Sequence, residues 1–162
     1  MSQNTSVPAK SSAKLSAIVQ QECFDVAELQ RSLLGEAHEE GAIATFTGYV
    51  RSSNDSRTVD TLELEHYPGM TQKSIVEILE EAAARWPLLS ASVVHRVGLL
   101  QPGDPIVWVG AASPHREAAF NACAFVMDYL KTRAPFWKKE VGPEGSQWVE
   151  ARSSDESQAE RW

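Results

Sequence analysis

The sequence predicts an α+β fold: a mixed, mostly antiparallel sheet with helices packed on one side, ending in a β-hairpin. The predicted elements run strand, helix, two strands, helix, two strands, helix, hairpin. The strands are half-exposed rather than continuously apolar, which disfavours a parallel sheet buried on both faces. The 162-residue length suits one domain. We place that domain at residues 15–162, after a polar, Ser-rich tail at 1–14 that we expect to be disordered.

The first elements are a strand and a short capped helix. Residues 15–23 are weakly strand-like. The helix begins after Asp25, because an aspartate side chain satisfies backbone N–H groups at a helix start, and it ends at Gly35. The side chains expected to face the core are Val26, Leu29 and Leu33.

Two strands and a longer helix follow. Residues 41–50 are rich in β-branched and aromatic side chains, which predicts a strand, whereas the polar residues 51–57 predict a loop. Residues 59–67 alternate between apolar and charged side chains, which predicts a half-buried strand with Leu62 and Leu64 on its apolar face. A helix extends from Thr71 to Trp86. Its apolar stripe consists of Ile75, Ile78, Leu79, Ala82 and Trp86.

The last part of the chain holds two strands, the longest predicted helix and a hairpin. A QPGD turn joins the strands at 91–100 and 105–113. The helix then begins with Ser113 as its cap and Pro114 in its first turn, and it ends near Thr132 because Pro135 disfavours helical geometry before it. Its predicted buried stripe is Phe120, Ala124, Met127 and Leu130. FWKKEV and QWVEA, separated by GPEGS, predict a hairpin, and the last ten residues predict a solvated tail on which Trp162 is a candidate for docking.

Composition excludes several classes of function. The net charge of -7 argues against a general nucleic-acid or membrane-surface binder, since both favour a broad basic face. No apolar run approaches the roughly 20 residues of a membrane helix, and the N-terminus lacks the apolar segment of a signal peptide. Cys23 and Cys123 form no disulfide or metal motif, and Cys123 is interpreted as a buried structural thiol. These features indicate a cytoplasmic protein.

Familiar catalytic motifs are missing from the sequence. There is no GxxxxGK[ST] loop, no GxGxxG turn and no GxSxG elbow. The four histidines have no metal-ligand spacing among themselves or with the cysteines, so no metal site is predicted.

The candidate site is a local reversal of charge around the last helix. Four cations lie between residues 131 and 139 with no acid between them. Pro135 turns the chain between Lys131 and Lys138, so both ammonium groups can face one cavity. Crowded cations lower each other's pKa, but a helix C-terminus favours the charged form, so the sign of the shift stays open. The simpler alternative is a helix-end cation and a solvated basic strand.

Two further positions are candidates for binding an anion. His115 and Arg116 follow a cap and a proline, and a helix start with an arginine nearby suits a phosphate. The alternative is an ordinary surface helix start. Arg51 ends a strand near Gly48, where a backbone can approach a ligand closely, although such an arginine is also common in solvated loops. Residues 113–140 are therefore interpreted as framing a pocket for a small phosphorylated molecule.

Six runs of the sequence resemble a known family. They are TFTGYVR (45–51), LELEHYPGM (62–70), HRVG (95–98), PGD (102–104), SPHREAAF (113–120) and MDYLKTRAPFWKKE (127–140). Together they resemble the large, catalytic subunit of molybdopterin synthase. The resemblance covers roughly residues 46–162, and the final ERW also fits.

The resemblance implies a sulfurtransferase reaction. The substrate would be cyclic pyranopterin monophosphate, which receives two sulfurs to give the dithiolene of molybdopterin. The donor would be the C-terminal glycine thiocarboxylate of a ubiquitin-like small subunit, whose tail threads into the large subunit's pocket. The implied assembly is a large-subunit homodimer with a small subunit at each end, a heterotetramer. No metal or organic cofactor is implied.

The resemblance also assigns residues by position. Lys131 and Lys138 match the two essential lysines. The implied substrate-binding positions are Tyr49, Val50, Arg51, His115, Arg116, Lys131, Lys138, Lys139 and Glu140. Arg152 is a candidate to reach a neighbouring protomer's pocket. The mechanistic hypothesis gives Lys131 the general acid/base role and gives Lys138 the task of orienting the phosphate or thiocarboxylate.

Two other functions stay open from the residues alone. A non-catalytic adaptor that binds a ubiquitin-like protein by a strand edge would explain the half-exposed strands but not the paired lysines. A cyclic-phosphate hydrolase would use His115 as its base, but it usually needs a second histidine or a metal nearby. Turnover of the pterin would distinguish the synthase from the adaptor. Release of phosphate from the substrate would distinguish the hydrolase from the synthase.

Overall fold

The computed structural model describes residues 12–149 and 153–162. The strands are β1 (Lys14–Gln20), β2 (Ala42–Tyr49), β3 (Ser53–Asn54), β4 (Arg57–Thr58), β5 (Thr61–His66), β6 (Ser90–Arg96), β7 (Gly98–Leu100), β8 (Pro105–Ser113), β9 (Phe136–Gly142) and β10 (Gly145–Val149). The helices are α1 (Val26–Ser32), α2 (Met70–Arg85), α3 (Arg116–Thr132) and α4 (Ser153–Ala159).

The strands divide between two four-stranded sheets and a small hairpin. The first sheet has the order β1-β6-β8-β2, in which only β1 and β6 are parallel. The second sheet, β10-β9-β5-β7, is antiparallel throughout. β3 pairs with β4. The predicted α+β class with a mixed, mostly antiparallel arrangement is confirmed, and its strands occupy two sheets rather than one.

The main core lies between the first sheet and helices α2 and α3. Ile75 and Ile78 of α2 and Phe125 of α3 are fully buried there, together with Val93 and Val109 of the sheet. The opposite face of the same sheet carries a smaller cluster. Its members are Leu33, Val94, Trp108 and Ala112, with Leu29 of α1 packed against them. The helices α2 and α3 therefore lie on one side, as predicted, whereas α1 contributes to the other.

The N-terminal elements match their predictions in part. β1 begins at Lys14, and residues 1–11 of the predicted tail lie outside the described residues. Asp25 caps α1 as predicted, because its Oδ1 accepts hydrogen bonds from the N–H groups of Ala27 (2.9 Å) and Glu28 (3.2 Å). The inward placement of Val26 is wrong, since this side chain is 43% exposed. Gly35 does not end the helix, which already stops at Ser32.

Two chain segments between the helices differ from the predictions. Residues 51–57 are not a simple loop, because β3 and β4 form a hairpin there. The strand predicted at 91–100 is interrupted at Val97, which is followed by Gly98 with a φ of 92°. This left-handed backbone, which suits glycine, redirects the chain so that β6 belongs to the first sheet and β7 to the second. The strands at 59–67 and 105–113, and the helix from Thr71, are confirmed.

The longest helix ends where predicted but begins later. Ser113 is the last residue of β8 rather than a helix cap, and its hydroxyl donates to the carbonyl of Pro87 (2.9 Å). Pro114 therefore precedes the helix, which starts at Arg116. The predicted stripe is wrong at Phe120, which is 66% exposed, and right at Leu130. The buried face is instead Ala118, Ala119, Ala122, Cys123, Phe125, Val126 and Leu130, whose small residues allow the helix to approach the sheet closely.

The C-terminal hairpin of β9 and β10 is confirmed, but the last residues are not a solvated tail. They form α4, and Trp162 packs edge-on against Trp86 with ring centroids 5.5 Å apart. The indole N–H of Trp162 donates to Asp128 of α3 (2.5 Å). The C-terminus is therefore fastened to the helix that precedes the hairpin.

Thr71 fixes the turn that separates α3 from β9. Its fully buried hydroxyl accepts a hydrogen bond from the Tyr67 N–H (3.0 Å) and donates one to the carbonyl of Pro135 (2.9 Å). This single side chain thus ties the start of α2 to the proline that redirects the chain between Lys131 and Lys138.

Replacing this hydroxyl tests its contribution. We expect Thr71→Val to lower the free energy of unfolding by about 1–3 kcal/mol more than Thr71→Ser, because valine leaves two buried backbone groups unpaired while serine keeps both hydrogen bonds. Urea titration followed by circular dichroism measures both values. Equal stability of the two variants would show that the hydroxyl does not hold this turn.

Candidate active site

A cavity of about 610 Å³ opens where the end of β2, the C-terminal end of α3 and strand β9 meet. Six of the residues predicted from sequence line it. They are Tyr49, Val50, Arg51, Lys131, Lys138 and Glu140. Apolar side chains such as Leu62, Ile106 and Met127 complete much of the wall. The arrangement suits a small molecule with an anionic end and a flat or apolar body.

Lys131 and Lys138 meet in this cavity although they come from different elements. Lys131 lies in the last turn of α3 and Lys138 on β9, with the Pro135 turn between them. The pKa of Lys138 is lowered to about 8, mainly by burial and in part by the charge of Lys131 and a hydrogen bond with its side chain. The carboxylates of Asp155 and Glu140 oppose it. The sequence left open whether the pKa of these lysines is raised or lowered, and for Lys138 it is lowered.

Strand alternation explains which neighbouring cations reach the cavity. Phe136, Lys138 and Glu140 share one face of β9, and all three line the cavity. Lys139 lies on the other face, where its Nζ is 5.7 Å from the ring centroid of Trp148. Arg133 also lies elsewhere. It pairs with Glu81 and stacks over Tyr129 at 5.0 Å.

His115 and Arg116 do not reach the cavity of their own chain. Both are exposed, and they stand at the N-terminal end of α3 while Lys131 stands at its other end. At 1.5 Å per residue, Arg116 and Lys131 are about 22 Å apart along the helix axis. The structure therefore brings one end of α3, but not both, to this cavity. Arg152 lies outside the described residues.

A polar network that the sequence did not reveal holds Arg51. Asn54 of β3 is buried, and its Nδ2 donates to Oε1 of Glu140 (2.7 Å). Nη2 of Arg51 donates to Oδ1 of Asn54 (3.4 Å), and Arg57 forms an ion pair with Oε2 of Glu140 (3.3 Å). Glu140 therefore clamps the β3–β4 hairpin to β9 and orients the arginine at the cavity wall. No local pattern pointed to Asn54, because its partner is 86 residues away.

His95 is the second cavity residue that sequence reasoning missed. It is 7% exposed, and its ring stacks on Phe136 with centroids 3.8 Å apart. The pKa of His95 is lowered to about 3, mainly by burial, with smaller contributions from the charges of Lys138 and Lys131 and an opposing one from the hydrogen bond to the backbone of Arg96. The imidazole is therefore neutral. The signal that could have found it is a histidine that directly follows the apolar pair Val93 and Val94 within a predicted strand.

The arrangement supports anion binding and proton exchange in a partly apolar cavity. Arg51, Lys131 and Lys138 supply positive charge, and a lysine with a lowered pKa can exchange a proton near neutral pH. Among the residues described, no group of three or more His, Cys, Asp or Glu side chains is placed to hold a metal ion. No helix in the described ranges is long and apolar enough to cross a membrane.

Comparisons with known proteins point to one family. The family model for the MoaE protein matches residues 19–133. The molybdopterin synthase catalytic subunit of Pseudomonas aeruginosa is 56% identical over 144 residues, which is 89% of this chain and 96% of the relative. The protein of the same name from Escherichia coli K12 is 54% identical over 150 residues, or 93% of this chain and 99% of the relative.

A solved structure shows the same architecture. The molybdopterin cofactor biosynthesis protein E from Burkholderia multivorans superposes with a TM-score of 0.78 at 46% identity, over 92% of this chain and 97% of that one. The matches to the two relatives and to the solved structure cover 89–93% of the chain. The chain belongs to the MoaE protein family.

Proposed function

We propose that this chain is the catalytic subunit of a molybdopterin synthase. It transfers sulfur from the C-terminal thiocarboxylate of a ubiquitin-like small subunit to cyclic pyranopterin monophosphate, and so forms the dithiolene of molybdopterin. The family and the shared name of relatives that are 54–56% identical support this activity. The structural observation that carries the proposal is the convergence of Lys131 and Lys138 with Arg51 in one cavity.

The charge pattern suits both reactants. The pterin carries a cyclic phosphate and the small subunit carries a thiocarboxylate, so two anions must come together. Three cations around one cavity offset the repulsion between them, and the bound geometry then favours the transfer. Each transfer forms a carbon–sulfur bond on the pterin as a carbon–oxygen bond at the same carbon breaks. Water then cleaves the acyl carbon–sulfur bond, which leaves the small subunit with a C-terminal carboxylate. We propose a cytoplasmic location for the complex.

The lowered pKa of Lys138 indicates different roles for the two lysines. The hypothesis from sequence gave the acid/base role to Lys131, but Lys138 is the lysine whose pKa falls to about 8. At pH 7 roughly one Lys138 side chain in ten is then neutral, against a negligible fraction at the usual lysine pKa. We therefore assign proton exchange to Lys138. Lys131, which also lines the cavity, holds the anionic group and keeps the pKa of Lys138 low.

Helix length supports a site shared between two copies of the chain. His115 and Arg116 match substrate-binding positions of the family, yet α3 places them about 22 Å from Lys131 of their own chain. A homodimer that brings the start of one α3 to the cavity of its partner would supply both residues. We propose this arrangement, with a small subunit bound to each large subunit.

The two alternative functions lose support. An adaptor without catalysis leaves the cavity and the lowered pKa of Lys138 without a purpose. A cyclic-phosphate hydrolase would use His115 as its base, but the relatives that are 54–56% identical to this chain are named molybdopterin synthase catalytic subunits.

Turnover by lysine variants tests the activity. We expect Lys131→Ala and Lys138→Ala to lower sulfur transfer at least about 100-fold, because each removes a cation that touches a reactant. The matched control is Lys139→Ala, which changes the neighbouring lysine on the opposite face of β9 and should keep most of the activity. Mass spectrometry of the pterin, incubated with thiocarboxylated small subunit, measures the gain of two sulfurs. An unchanged pterin mass with the unsubstituted chain would refute the proposed activity.

Titration of the lysines tests the division of roles. We expect the Lys138 amine to titrate near pH 8, and Lys131→Met to raise that midpoint because a neighbouring positive charge is lost. The midpoint should stay below the usual lysine value, since the burial is unchanged. Lys139→Met is the control and should have no effect. Lysine side-chain ¹³C NMR follows the titration, and a Lys138 midpoint at about 10.5 would contradict the assignment.

Mixed dimers test the shared site. Arg116→Ala and Lys131→Ala chains should each be inactive alone, whereas a dimer containing one of each should recover activity. In the shared arrangement, one of its two sites has both residues intact. Co-expression with two different affinity tags isolates the mixed dimer. If each chain supplied both residues to its own cavity, the mixed dimer would stay inactive.

A further inference from the structure

One polar side chain in the cavity has no part in the chemistry described so far. His95 comes from the middle of the first sheet, where β1 and β8 flank β6, so its backbone position is fixed on both sides. Its ring is held by the stack on Phe136, which leads into β9 and Lys138. A polar ring placed this firmly in a cavity wall is costly unless it has a partner, and this suggests a role in binding.

The hydrogen bonding of His95 fixes which ring nitrogen faces the cavity as an acceptor. Nδ1 lies 2.8 Å from the carbonyl oxygen of Arg96. A carbonyl oxygen only accepts, so Nδ1 carries the proton and Nε2 of the neutral ring carries a lone pair. Within the ranges 12–149 and 153–162, the hydrogen bond of the His95 ring is made by Nδ1. Because no buried polar side-chain atom there lacks a partner, Nε2 is open to the cavity that His95 lines. It is available to a donor on a bound molecule.

Most other polar side chains of the cavity wall donate hydrogen bonds or are already paired within the protein. Arg51, Lys131 and Lys138 are donors when charged, and they suit the anionic end of a ligand. Both carboxylate oxygens of Glu140 are already engaged by Asn54 and Arg57. The hydroxyls of Tyr49 and Ser53 can both donate and accept, whereas Nε2 of the neutral His95 ring only accepts and so is selective for a donor on an uncharged polar group.

We propose that Nε2 of His95 accepts a hydrogen bond from a ring N–H or amino group of the bound pterin, and that it orients the heterocycle while the cations hold the phosphate. The proposal rests on the proposed function, because it concerns the substrate of that reaction. A pterin presents several N–H donors, and a neutral acceptor selects them over a second anionic group. His95 is thus a substrate-binding residue that determines the orientation of the ring.

Two amide substitutions of His95 test the roles of Nδ1 and Nε2 separately. His95→Asn keeps an N–H near the position of Nδ1, and therefore the bond to Arg96, but it provides no acceptor at the position of Nε2. His95→Gln extends an amide oxygen toward that position. In the complex with thiocarboxylated small subunit, we expect the Asn variant to raise the KM for the pterin roughly tenfold with kcat nearly unchanged. The Gln variant should stay within about threefold of the unsubstituted complex.

The outcomes distinguish this inference from a structural role and from the proposed function. Equal KM values for all three proteins, or an equal rise in KM in both variants, would overturn the role of Nε2. Sulfur transfer by the unsubstituted complex would still support the proposed function in that case. Failure of the unsubstituted complex to transfer sulfur would overturn both.

A spectroscopic measurement on the unsubstituted complex does not depend on the folding of any variant. In protein labelled with ¹⁵N-histidine, His95 should show one unprotonated ring nitrogen, Nε2. Its resonance should move in the direction of hydrogen bonding when pterin monophosphate is added. An Nε2 resonance that stays in place while pterin binds would overturn the inference.

Discussion

The close approach of two lysine amines inside one cavity is the constraint on which the rest of the site depends. Burial and mutual repulsion both disfavour two charged amines there, and the lowered pKa of Lys138 expresses that cost. The surrounding fold must therefore hold them together. The Thr71 hydroxyl fixes the Pro135 turn, β9 is paired on both edges by β5 and β10, and Glu140 and Asp155 partly offset the positive charge. These favourable interactions in the surrounding fold offset the cost of holding the two lysines close together.

The same balance explains why an acidic protein can serve two anionic reactants. The net charge of -7 concerns the whole chain, but the field that a ligand experiences in a cavity depends on the nearest groups and on the low polarity of the walls. Arg51 is oriented there by Asn54, and Glu140 is occupied by Asn54 and Arg57 rather than directed at the ligand. Acidic residues can thus support the site without cancelling its attraction for anions.

The sequence predicted those features that depend on neighbours along the chain. The helix end near Thr132, the Pro135 turn and the alternation of β9 are local, so the meeting of Lys131 with Lys138 was predictable, as was the Asp25 cap. Features set by distant partners were not. Asn54 has its role because Glu140 lies opposite, and Ser113 is held by the distant Pro87 carbonyl rather than capping the helix beside it. The exposure of Phe120 shows likewise that an apolar period alone does not say which face another element covers.

The cavity of one chain is also less complete than its chemistry requires. Phe46 and Tyr49 line it, yet they are 42% and 55% exposed, and large apolar surfaces beside a site are commonly covered by another protein. Hydrolysis of the thiocarboxylate before the transfer would release its sulfur as sulfide, and an open wall does not keep water from that carbon. Binding of a partner at this rim would cover both rings and enclose the lysines at once. On this view assembly is part of the catalytic apparatus, because the subunit by itself positions the charges while the complex supplies the enclosure.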